Sequence, residues 1–199
     1  NDDVITAVVE VGHTSGVKVS ADAHGAESIK QAIWAGVDSI EHASLIDNEG
    51  INLAKAEGVA LSMDIYNGDY INTVGAAENW PEEFLRKNRE TTDLQRENFT
   101  KAHKAGVIIV YGTDAGVYPH GDNAKQFAYM VDRGMTNLEA IQSATIAAAK
   151  VMGWEDQVGI IKQGYFADLV AVRDNPLLNI QALESINVVI KGGKLYQNN

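Results

Sequence analysis

The chain of 199 residues contains no cysteine, and this absence excludes two kinds of structure at once. Without cysteine there is no disulfide bond, and no metal ion can be held by thiolate ligands as in many structural zinc sites. Any metal site in this chain must therefore use histidine nitrogens or oxygen ligands. The absence does not indicate a compartment, because a chain without cysteine suits reducing and oxidising surroundings equally well.

Long apolar stretches and an excess of basic charge are also missing. No apolar run approaches the roughly 18 residues that would indicate a membrane-spanning helix. Lys and Arg total 16 against 27 Asp and Glu, which leaves a formal net charge of -11. This charge argues against electrostatic binding of nucleic acid or of an anionic membrane, and we expect neither partner. It suits a soluble protein and favours the binding of cations.

The first residues, NDDVITAVVEVG, include neither an initiating Met nor the apolar core of a signal peptide. This opening is typical of the middle of a longer protein, so we expect a fragment or a processed product. The compartment stays open between the cytoplasm and a periplasmic or secreted location. The length suits one domain or a large piece of a bigger one.

Strand-like and helix-like segments alternate four times along the chain. Short apolar runs predict the strands, and segments with apolar residues at helical spacing, mostly closed by glycine, predict the helices. The predicted strands are 17–24, 37–43, 59–66 and 107–116, and the predicted helices are 2–13, 27–36, 49–58 and 91–106. Apolar strands joined by helical crossovers predict an α/β fold with a parallel sheet. A long polar stretch, residues 67–90, interrupts the alternation.

Helices and then a β-rich tail follow the fourth predicted strand. One helix begins at Asn123 or the residue before it, and the next opens with a capping box at Thr136. The remaining residues are β-rich and include a Gly-Gly turn signal. We therefore predict a first domain over residues 1–155 and a small β segment over residues 156–199.

Each predicted strand ends in side chains that can bind metal or transfer a proton. They are Asp22 and His24, Glu41 and His42, Asp64 and Tyr66, and Asp114. A lone His is more often a structural residue, and a lone Asp after a strand is more often a helix cap. Four such ends on the rim where α/β enzymes carry out chemistry instead indicate a site. Its ligands suit zinc, manganese or iron better than calcium.

The first of these ends raises a question of its own. Asp22 and His24 should point the same way, because alternate residues of a strand share one face. Such a pair predicts a metal site or an acid–base site. The alternative is a polar strand end beside a loop.

The sequence resembles the C-terminal half of metal-dependent amidohydrolases, of the imidazolonepropionase-like and Xaa-Pro-dipeptidase-like branch. The similar stretches are SADAHG, AGVDSIEHASLIDNEG, KAHKAGVIIVYGTDAG, PHGDNAKQFAYMVDRGMTNLEAIQSATIAAAKVMG and GIIKQGYFADLVAV. The resemblance covers most of the chain and weakens between Asn67 and Glu90. The combination is specific, whereas GTDAG or EH alone is a weak signal.

The resemblance implies the C-terminal half of a (β/α)8 TIM barrel, with strands five to eight in residues 17–115, plus the C-terminal strands of a small β-sandwich. It implies that His42 binds metal from the sixth strand. It also implies that Asp114 binds metal and acts as the catalytic proton shuttle for the attacking water. The cofactor implied is a divalent metal, with zinc the first choice, and the reaction is hydrolysis of an amide or peptide-like C–N bond.

The fifth strand departs from the family pattern. Relatives usually have H-A-H-G there, with the first histidine as the metal ligand, but this chain has Asp22 at that position. Either Asp22 is the ligand through its shorter carboxylate, which zinc accepts, or His24 substitutes from the same face, or that metal position is lost. We place Asp22 slightly ahead of His24. His24 would otherwise bind substrate or orient a ligand.

Tyr66 and His120 follow the last two strands of the implied barrel and are candidates for contacting substrate. Ordinary surface loop residues are an equally good interpretation of both. The implied substrate is a small amide or a dipeptide. The sequence leaves its identity open, because loops around the pocket determine it and fold alone does not.

A second, non-enzymatic hypothesis stays open beside the hydrolase. The family's His-x-His of strand one and its lysine of strand four have no counterpart in this sequence, so the retained groups only half-enclose a metal. Four parallel strands also leave two unpaired edges, which only a closed barrel removes. The chain would then be a half-barrel fragment that binds metal or assembles without turnover. Under either hypothesis we expect the missing N-terminal half or a second copy to close the barrel, with a homo-oligomer in the latter case.

Overall fold

Strands and helices alternate through the first part of the chain, as its apolar pattern predicts. The computed structural model describes residues 2–198. The alternating elements are α1 (Asp2–Thr14), β1 (Ser20–Gly25), α2 (Ala26–Trp34), β2 (Ser39–Leu45), α3 (Asn48–Glu57), β3 (Ala60–Ser62), α4 (Asn67–Tyr70), α5 (Glu82–Ala105) and β4 (Ile109–Val110). The α/β fold is therefore confirmed.

The first four strands form one parallel sheet in the order of the chain, β1-β2-β3-β4. Asp22 pairs with Glu41 and Ala23 pairs with His42 across the first two strands. Glu41 in turn pairs with Ser62 of the third strand. The carboxyl ends of the strands therefore lie nearly level, and the residues that follow them meet at one rim.

The core lies between this sheet and the helices that cross over it. Fully buried apolar side chains come from strands and helices alike, including Ile29, Ile40, Leu61, Phe99 and Met130. Helices α3 and α5 end at Gly58 and Gly106, both in the left-handed conformation that glycine adopts at low cost. No helix within residues 2–198 is both long and apolar enough to cross a membrane.

The strands are shorter than the apolar runs predict. β3 has three residues and β4 has two, whereas the sequence predicts strands over 59–66 and 107–116. The difference lies mainly at the carboxyl ends, where the chain leaves the sheet to build the rim. Apolar residues there, such as Met63 and Ile65, are buried without being in a strand.

The polar stretch over residues 67–90 is mostly helical, which the sequence analysis did not predict. It contains α4, a π-helical turn over Ile71–Gly75, and the first nine residues of α5. Helix α5 begins at Glu82, so the predicted start at residue 91 was wrong.

Ion pairs on its surface account for this early start of α5. Glu82 and Glu83 occupy the first turn, where negative charge interacts favourably with the helix dipole. Arg86 pairs with Glu90 and Lys87 pairs with Glu83, each four residues apart. Such pairs stabilise the exposed first turns of the helix, where Leu85 is the one buried residue, so residues 82–90 carry little helical periodicity.

Short helices and a second sheet complete the chain. They are α6 (Gln126–Asp132), α7 (Asn137–Gln142), α8 (Ala148–Val151), β5 (Leu169–Ala171), β6 (Val188–Lys191) and β7 (Lys194–Asn198). The predicted capping box of Thr136 and Glu139 is present at the start of α7. The three last strands form an antiparallel sheet, β5-β6-β7, with Gly192 and Gly193 in the final turn. A domain boundary near residue 155 stays a prediction.

Candidate metal centre

The carboxyl rim of the parallel sheet carries a cluster of histidine and aspartate side chains. Asp22, His24 and His42 form one group, and His42, Asp64 and Asp114 form a second. In each group the potential ligand atoms lie within 4.8 Å of one another. His42 belongs to both groups, so the cluster is organised around its imidazole.

The donor set and its spacing fit a divalent metal. Oδ2 of Asp22 lies 3.3 Å from Nε2 of His42. Two ligands of a tetrahedral zinc ion, each about 2.0–2.1 Å from the metal, are separated by about 3.3 Å. Nitrogen and carboxylate donors without thiolate also suit zinc and similar divalent ions. The residues therefore fit the kind of metal that the sequence predicts.

Asp64 orients the imidazole of His42. Nδ1 of His42 donates to Oδ1 of Asp64 at 3.0 Å, which leaves Nε2 directed toward Asp22. This hydrogen bond raises the pKa of His42 to about 9, even though partial burial acts in the opposite direction. A histidine held through one ring nitrogen by a carboxylate is the usual arrangement of a metal ligand.

Asp64 itself is buried, and its carboxylate is surrounded by donors. Burial alone would raise its pKa, but the hydrogen bonds from His42 and from Nδ2 of Asn67 bring that pKa below its ordinary value. Nε2 of Gln95 also donates to Oδ1 at 3.0 Å. Asp64 therefore stays charged inside the protein and holds His42 in one orientation.

Asp114 faces the cluster from the loop that follows β4. Nδ2 of Asn67 donates to its Oδ2 at 2.9 Å. Burial and the negative charge of Asp64 raise the pKa of Asp114 above that of an ordinary aspartate. A carboxylate with a raised pKa is a better proton acceptor, which suits a group that receives a proton from water.

Gly112 allows the loop that carries Asp114 to approach β3 closely. A Cβ atom on Gly112 would overlap the hydroxyl group of Ser62. The side chain of Gln126 spans the same junction, because it donates to the carbonyl groups of Met63 and Gly112. This contact fixes the end of β4 against the end of β3.

Unfavourable backbone conformations are concentrated at the same rim. His42, Ala43 and Asp114 have φ values of 65°, 48° and 51°. They are three of the four non-glycine residues with positive φ in the part of the chain that the structure describes. Such conformations cost about 1–3 kcal/mol each and persist where the surrounding structure enforces them, often at functional sites.

His24 lies beside His42 at the exposed edge of the cluster. Their rings stack with centroids 4.4 Å apart. Nδ1 of His24 contacts the hydroxyl of Ser44 at 3.0 Å, and its Nε2 lies 3.7 Å from Asp22. Asp22 and His24 do approach each other, as strand alternation predicts. Which of them binds metal stays open, although Asp22 is the one within 3.3 Å of His42.

The two residues predicted to contact substrate, Tyr66 and His120, lie away from the cavities beside the cluster. Tyr66 is buried, and its ring packs against Tyr118 and Tyr129 with centroids 5.0 and 5.4 Å apart. His120 is exposed in the loop before α6. Neither residue lines the two cavities that adjoin the cluster, of about 230 and 880 Å³. Their roles stay predictions.

Three residues that hold the cluster together had no role predicted from the sequence. Asp64 stands at a predicted strand end, so the sequence predicted its place on the rim but not its contact with His42. Asn67 bridges Asp64 and Asp114, and Gln95 donates to Asp64 from the middle of α5. An amide inside a polar stretch or a polar helix carries no local signal of such a contact.

Comparisons with known proteins show which family the sequence matches. The sequence model of the Amidohydrolase family matches residues 1–196. Ochratoxinase from Aspergillus niger is 34% identical over 198 residues, which cover 97% of this chain and 41% of that protein. An uncharacterized protein of Mycobacterium tuberculosis is 28% identical over 98% of this chain and 52% of its own length.

Solved structures show the same relationship. A Xaa-Pro dipeptidase with bound methionine in its active site is 42% identical, with a TM-score of 0.94 over 100% of this chain and 49% of that one. The crystal structure of ochratoxinase from A. niger has a TM-score of 0.85, with 33% identity over 100% of this chain and 46% of that one. The chain thus spans about half the length of the relatives it matches. It belongs to the Amidohydrolase family.

Proposed function

We propose that this chain is the C-terminal half of a metal-dependent hydrolase that cleaves amide or peptide-like C–N bonds. The observation that carries the proposal is the arrangement around His42. Asp64 holds one ring nitrogen, and the other lies 3.3 Å from Asp22. Asp114, with its raised pKa, lies beside them. Ligands, an orienting carboxylate and a proton acceptor therefore converge on one rim.

The metal would be held by His42 and Asp114 together with Asp22 or His24. When bound, a divalent ion such as zinc lowers the pKa of a coordinated water and polarises the scissile carbonyl. Asp114 takes the proton of the attacking water and delivers it to the leaving nitrogen. Asp64 keeps His42 in the required orientation, and Asn67 holds the carboxylates of Asp64 and Asp114 relative to each other.

The relatives support an amide or dipeptide substrate. One is named as an ochratoxinase and another as a Xaa-Pro dipeptidase. Family membership supports a hydrolase, and the rim supplies the chemistry for it. Tyr66 and His120 remain candidates for substrate contacts.

The barrel half is part of the same proposal. The strands β1 to β4 are the fifth to eighth strands of a (β/α)8 barrel, and the antiparallel sheet β5-β6-β7 belongs to a small β-sandwich. Strands β1 and β4 are the two ends of the parallel sheet. The remaining half of the barrel, or a second copy of the chain, would pair with them.

Hydrolysis after metal restoration tests the proposal. The chain, co-expressed with the N-terminal half of the barrel, is stripped with a chelator, reloaded with zinc, manganese or iron, and assayed against a panel of dipeptides and N-acyl amino acids. We expect metal-dependent hydrolysis that Asp114→Asn abolishes while Asp122→Asn, a change in a partly exposed aspartate paired with Lys125, leaves it intact. Bound metal without hydrolysis of any panel member would instead favour the fragment that binds metal without turnover.

A further inference from the structure

A large cleft opens beside the metal cluster. Its volume is about 880 Å³, and His24 and Asp114 form the end that adjoins the cluster. Clefts of about 300–1,000 Å³ are typical binding sites for small organic molecules. A molecule in this cleft would therefore lie directly against the atoms that carry out the proposed reaction.

The walls of the cleft are apolar. Ile71, Trp80, Phe84 and Val117 line it, and we call these four residues the apolar wall. Phe84 is 59% exposed and lines the cleft, so its ring is accessible to a bound molecule. An exposed aromatic group that faces a cavity marks a surface where apolar binding would release water.

The ring of Trp80 lines the cleft and is held in place by two contacts. One of them satisfies its indole N–H group. Its indole N–H donates to Oε2 of Glu78 at 3.1 Å. The ring packs so closely on Gly75 that a Cβ atom there would lie 3.1 Å from it. The wall is thus preorganised rather than formed by loose side chains.

The polar groups around the cleft are already bonded within the protein. Lys87 pairs with Glu83 at 3.2 Å. The amide of Asn88 donates to the carbonyl of Gly68 at 2.9 Å, and the hydroxyl of Thr91 donates to the carbonyl of Lys87. Away from His24, Asp114 and the exposed ammonium group of Lys87, a charged or strongly polar ligand would find few free partners here. The lining therefore selects for a neutral apolar group.

We propose that the apolar wall binds a bulky neutral group of the substrate, an aromatic or branched aliphatic side chain next to the scissile amide. This inference rests on the proposed hydrolase for its reaction and adds the specificity-determining residues Trp80 and Phe84. Both lie in the segment between Asn67 and Glu90, where the sequence resemblance to the family is weakest. Loops and insertions of this kind commonly set specificity on a shared scaffold.

Tryptophan fluorescence of the metal-free chain tests the cleft without depending on turnover. The double substitution Trp34→Phe and Trp154→Phe leaves Trp80 as the single tryptophan. The probe is 3-phenylpropionate, and 3-hydroxypropionate is the matched probe with the same carboxylate and no apolar group. We expect a saturable change of Trp80 emission with the first probe, and binding about tenfold or more weaker for the second.

Phe84→Ala, made in the chain that has Trp80 as its single tryptophan, tests whether the apolar wall forms the binding site. It should weaken binding of 3-phenylpropionate about fivefold, because an aromatic pair contributes about 0.5–1.5 kcal/mol beyond its buried area. The matched control is Phe166→Ala, since Phe166 is 54% exposed and lies away from the cleft. Equal affinity for the two probes, or equal effects of the two phenylalanine substitutions, would overturn the assignment.

An incorrect assignment of the cleft can be distinguished from an incorrect proposal of hydrolase activity. Zinc content and hydrolysis are measured on the same preparations, independently of the fluorescence titration. A zinc-dependent hydrolase that cleaves glycine and phenylalanine derivatives equally well, before and after Phe84→Ala, refutes the cleft and leaves the hydrolase standing. Specific binding of 3-phenylpropionate in a chain that takes up none of zinc, manganese or iron and hydrolyses no panel member supports the cleft and refutes the hydrolase.

Discussion

At the scale of single residues, the two nitrogens of His42 have different environments. Nδ1 donates to a buried, charged Asp64, and Nε2 faces the exposed Asp22. An imidazole fixed in this way presents one nitrogen to a metal at little entropic cost, because its ring is already oriented. We therefore expect Asp64 to act by orienting His42, and its carboxylate also lies within the second group of potential ligands.

Replacing Asp64 should show this indirect role. Asp64→Asn keeps the shape and removes the charge that supports His42, so we expect zinc affinity to fall about 10–100-fold. The measurement is a competition titration with a chelating dye on the metal-stripped chain. Asp122→Asn is the control because Asp122 is paired with Lys125 on an exposed turn. An unchanged zinc affinity in Asp64→Asn would show that His42 does not depend on this partner.

Single substitutions of Asp22 and His24 show which of the two is the metal ligand from β1. Because Oδ2 of Asp22 lies 3.3 Å from Nε2 of His42, we expect Asp22→Ala to reduce zinc affinity about 100-fold and His24→Ala about tenfold or less. The same titration measures both variants, and circular dichroism checks that they fold. The reverse order of losses would identify His24 as the ligand from this strand.

At the scale of elements, helices α4 and α5 matter most because they carry the residues that brace the cluster. Arg96 of α5 is buried and joins the two helices to the end of β3. It donates to the carbonyl of Ile65 at 3.1 Å, pairs with Asp69 of α4 at 2.8 Å, and stacks over the ring of Tyr129. This set of contacts places Asn67, on the same short helix as Asp69, between Asp64 and Asp114.

Breaking this junction should destabilise the fold. Arg96→Met retains much of the volume but leaves the Ile65 carbonyl without its donor and Asp69 without its cation. We expect the free energy of unfolding to fall by about 2–3 kcal/mol, since Asp69 is partly exposed and can regain water. Urea denaturation measures the change. Arg89→Met, at an exposed position of the same helix, should have no measurable effect, and equal losses would argue against the junction.

A second junction lies at the opposite end of the strands. Asp38, just before β2, accepts hydrogen bonds from Lys18 and from the backbone N–H of Val19, and contacts His13 of α1 at 2.9 Å. Partial burial acts to raise the pKa of Asp38, but these donors lower it below its ordinary value. A lowered pKa means that the folded state favours the charged carboxylate.

Because the folded state lowers the pKa of Asp38, the free energy of unfolding should depend on pH. The stabilisation is complete above about pH 4, the unfolded pKa of aspartate, and is lost as the pH falls through the lower pKa of the folded state. Asp38→Asn should therefore lower the free energy of unfolding by about 0.5–1 kcal/mol near pH 6, and this difference should shrink in acid. Urea denaturation from pH 7 to pH 3 measures it. Asp93→Asn, an exposed position of α5, is the control, and a difference that grows in acid would contradict the assignment.

The elements also show what the sequence could and could not predict. Apolar runs that follow glycine-closed helices predict the strands, and with them the positions of Asp22, His42 and Asp114 at one rim. The helical character of residues 67–90 could not be predicted from periodicity, because α5 is stabilised there by ion pairs. The bracing contacts of Asn67 and Gln95 depend on how that helix packs, so they too escaped sequence reasoning.

At the scale of the whole molecule, the chain spans about half the length of its relatives and has two separate sheets. The parallel sheet carries the cluster on its rim, while the antiparallel sheet lies at the end of the chain. Strands β1 and β4 are the outer strands of the parallel sheet among the described residues. An exposed strand edge invites pairing with another chain.

Association should follow from these edges. We expect the purified chain to have a mass above that of one copy in light scattering, because a second copy can pair with β1 or β4 in the absence of the other half. Co-expression with the N-terminal half of the barrel should replace this self-association with a one-to-one complex. A folded chain that stays monomeric at all concentrations, alone and with the other half, would contradict the half-barrel.

The central claim is a metal centre built around His42, and metal content tests it most directly. Elemental analysis of the purified chain, alongside light scattering, should find about one divalent ion per chain. The substitution His42→Ala should abolish this metal, while His13→Ala, at a histidine that contacts Asp38 away from the rim, should retain it. A folded wild-type chain without bound metal, or a His42→Ala variant that retains the full complement, would contradict the account.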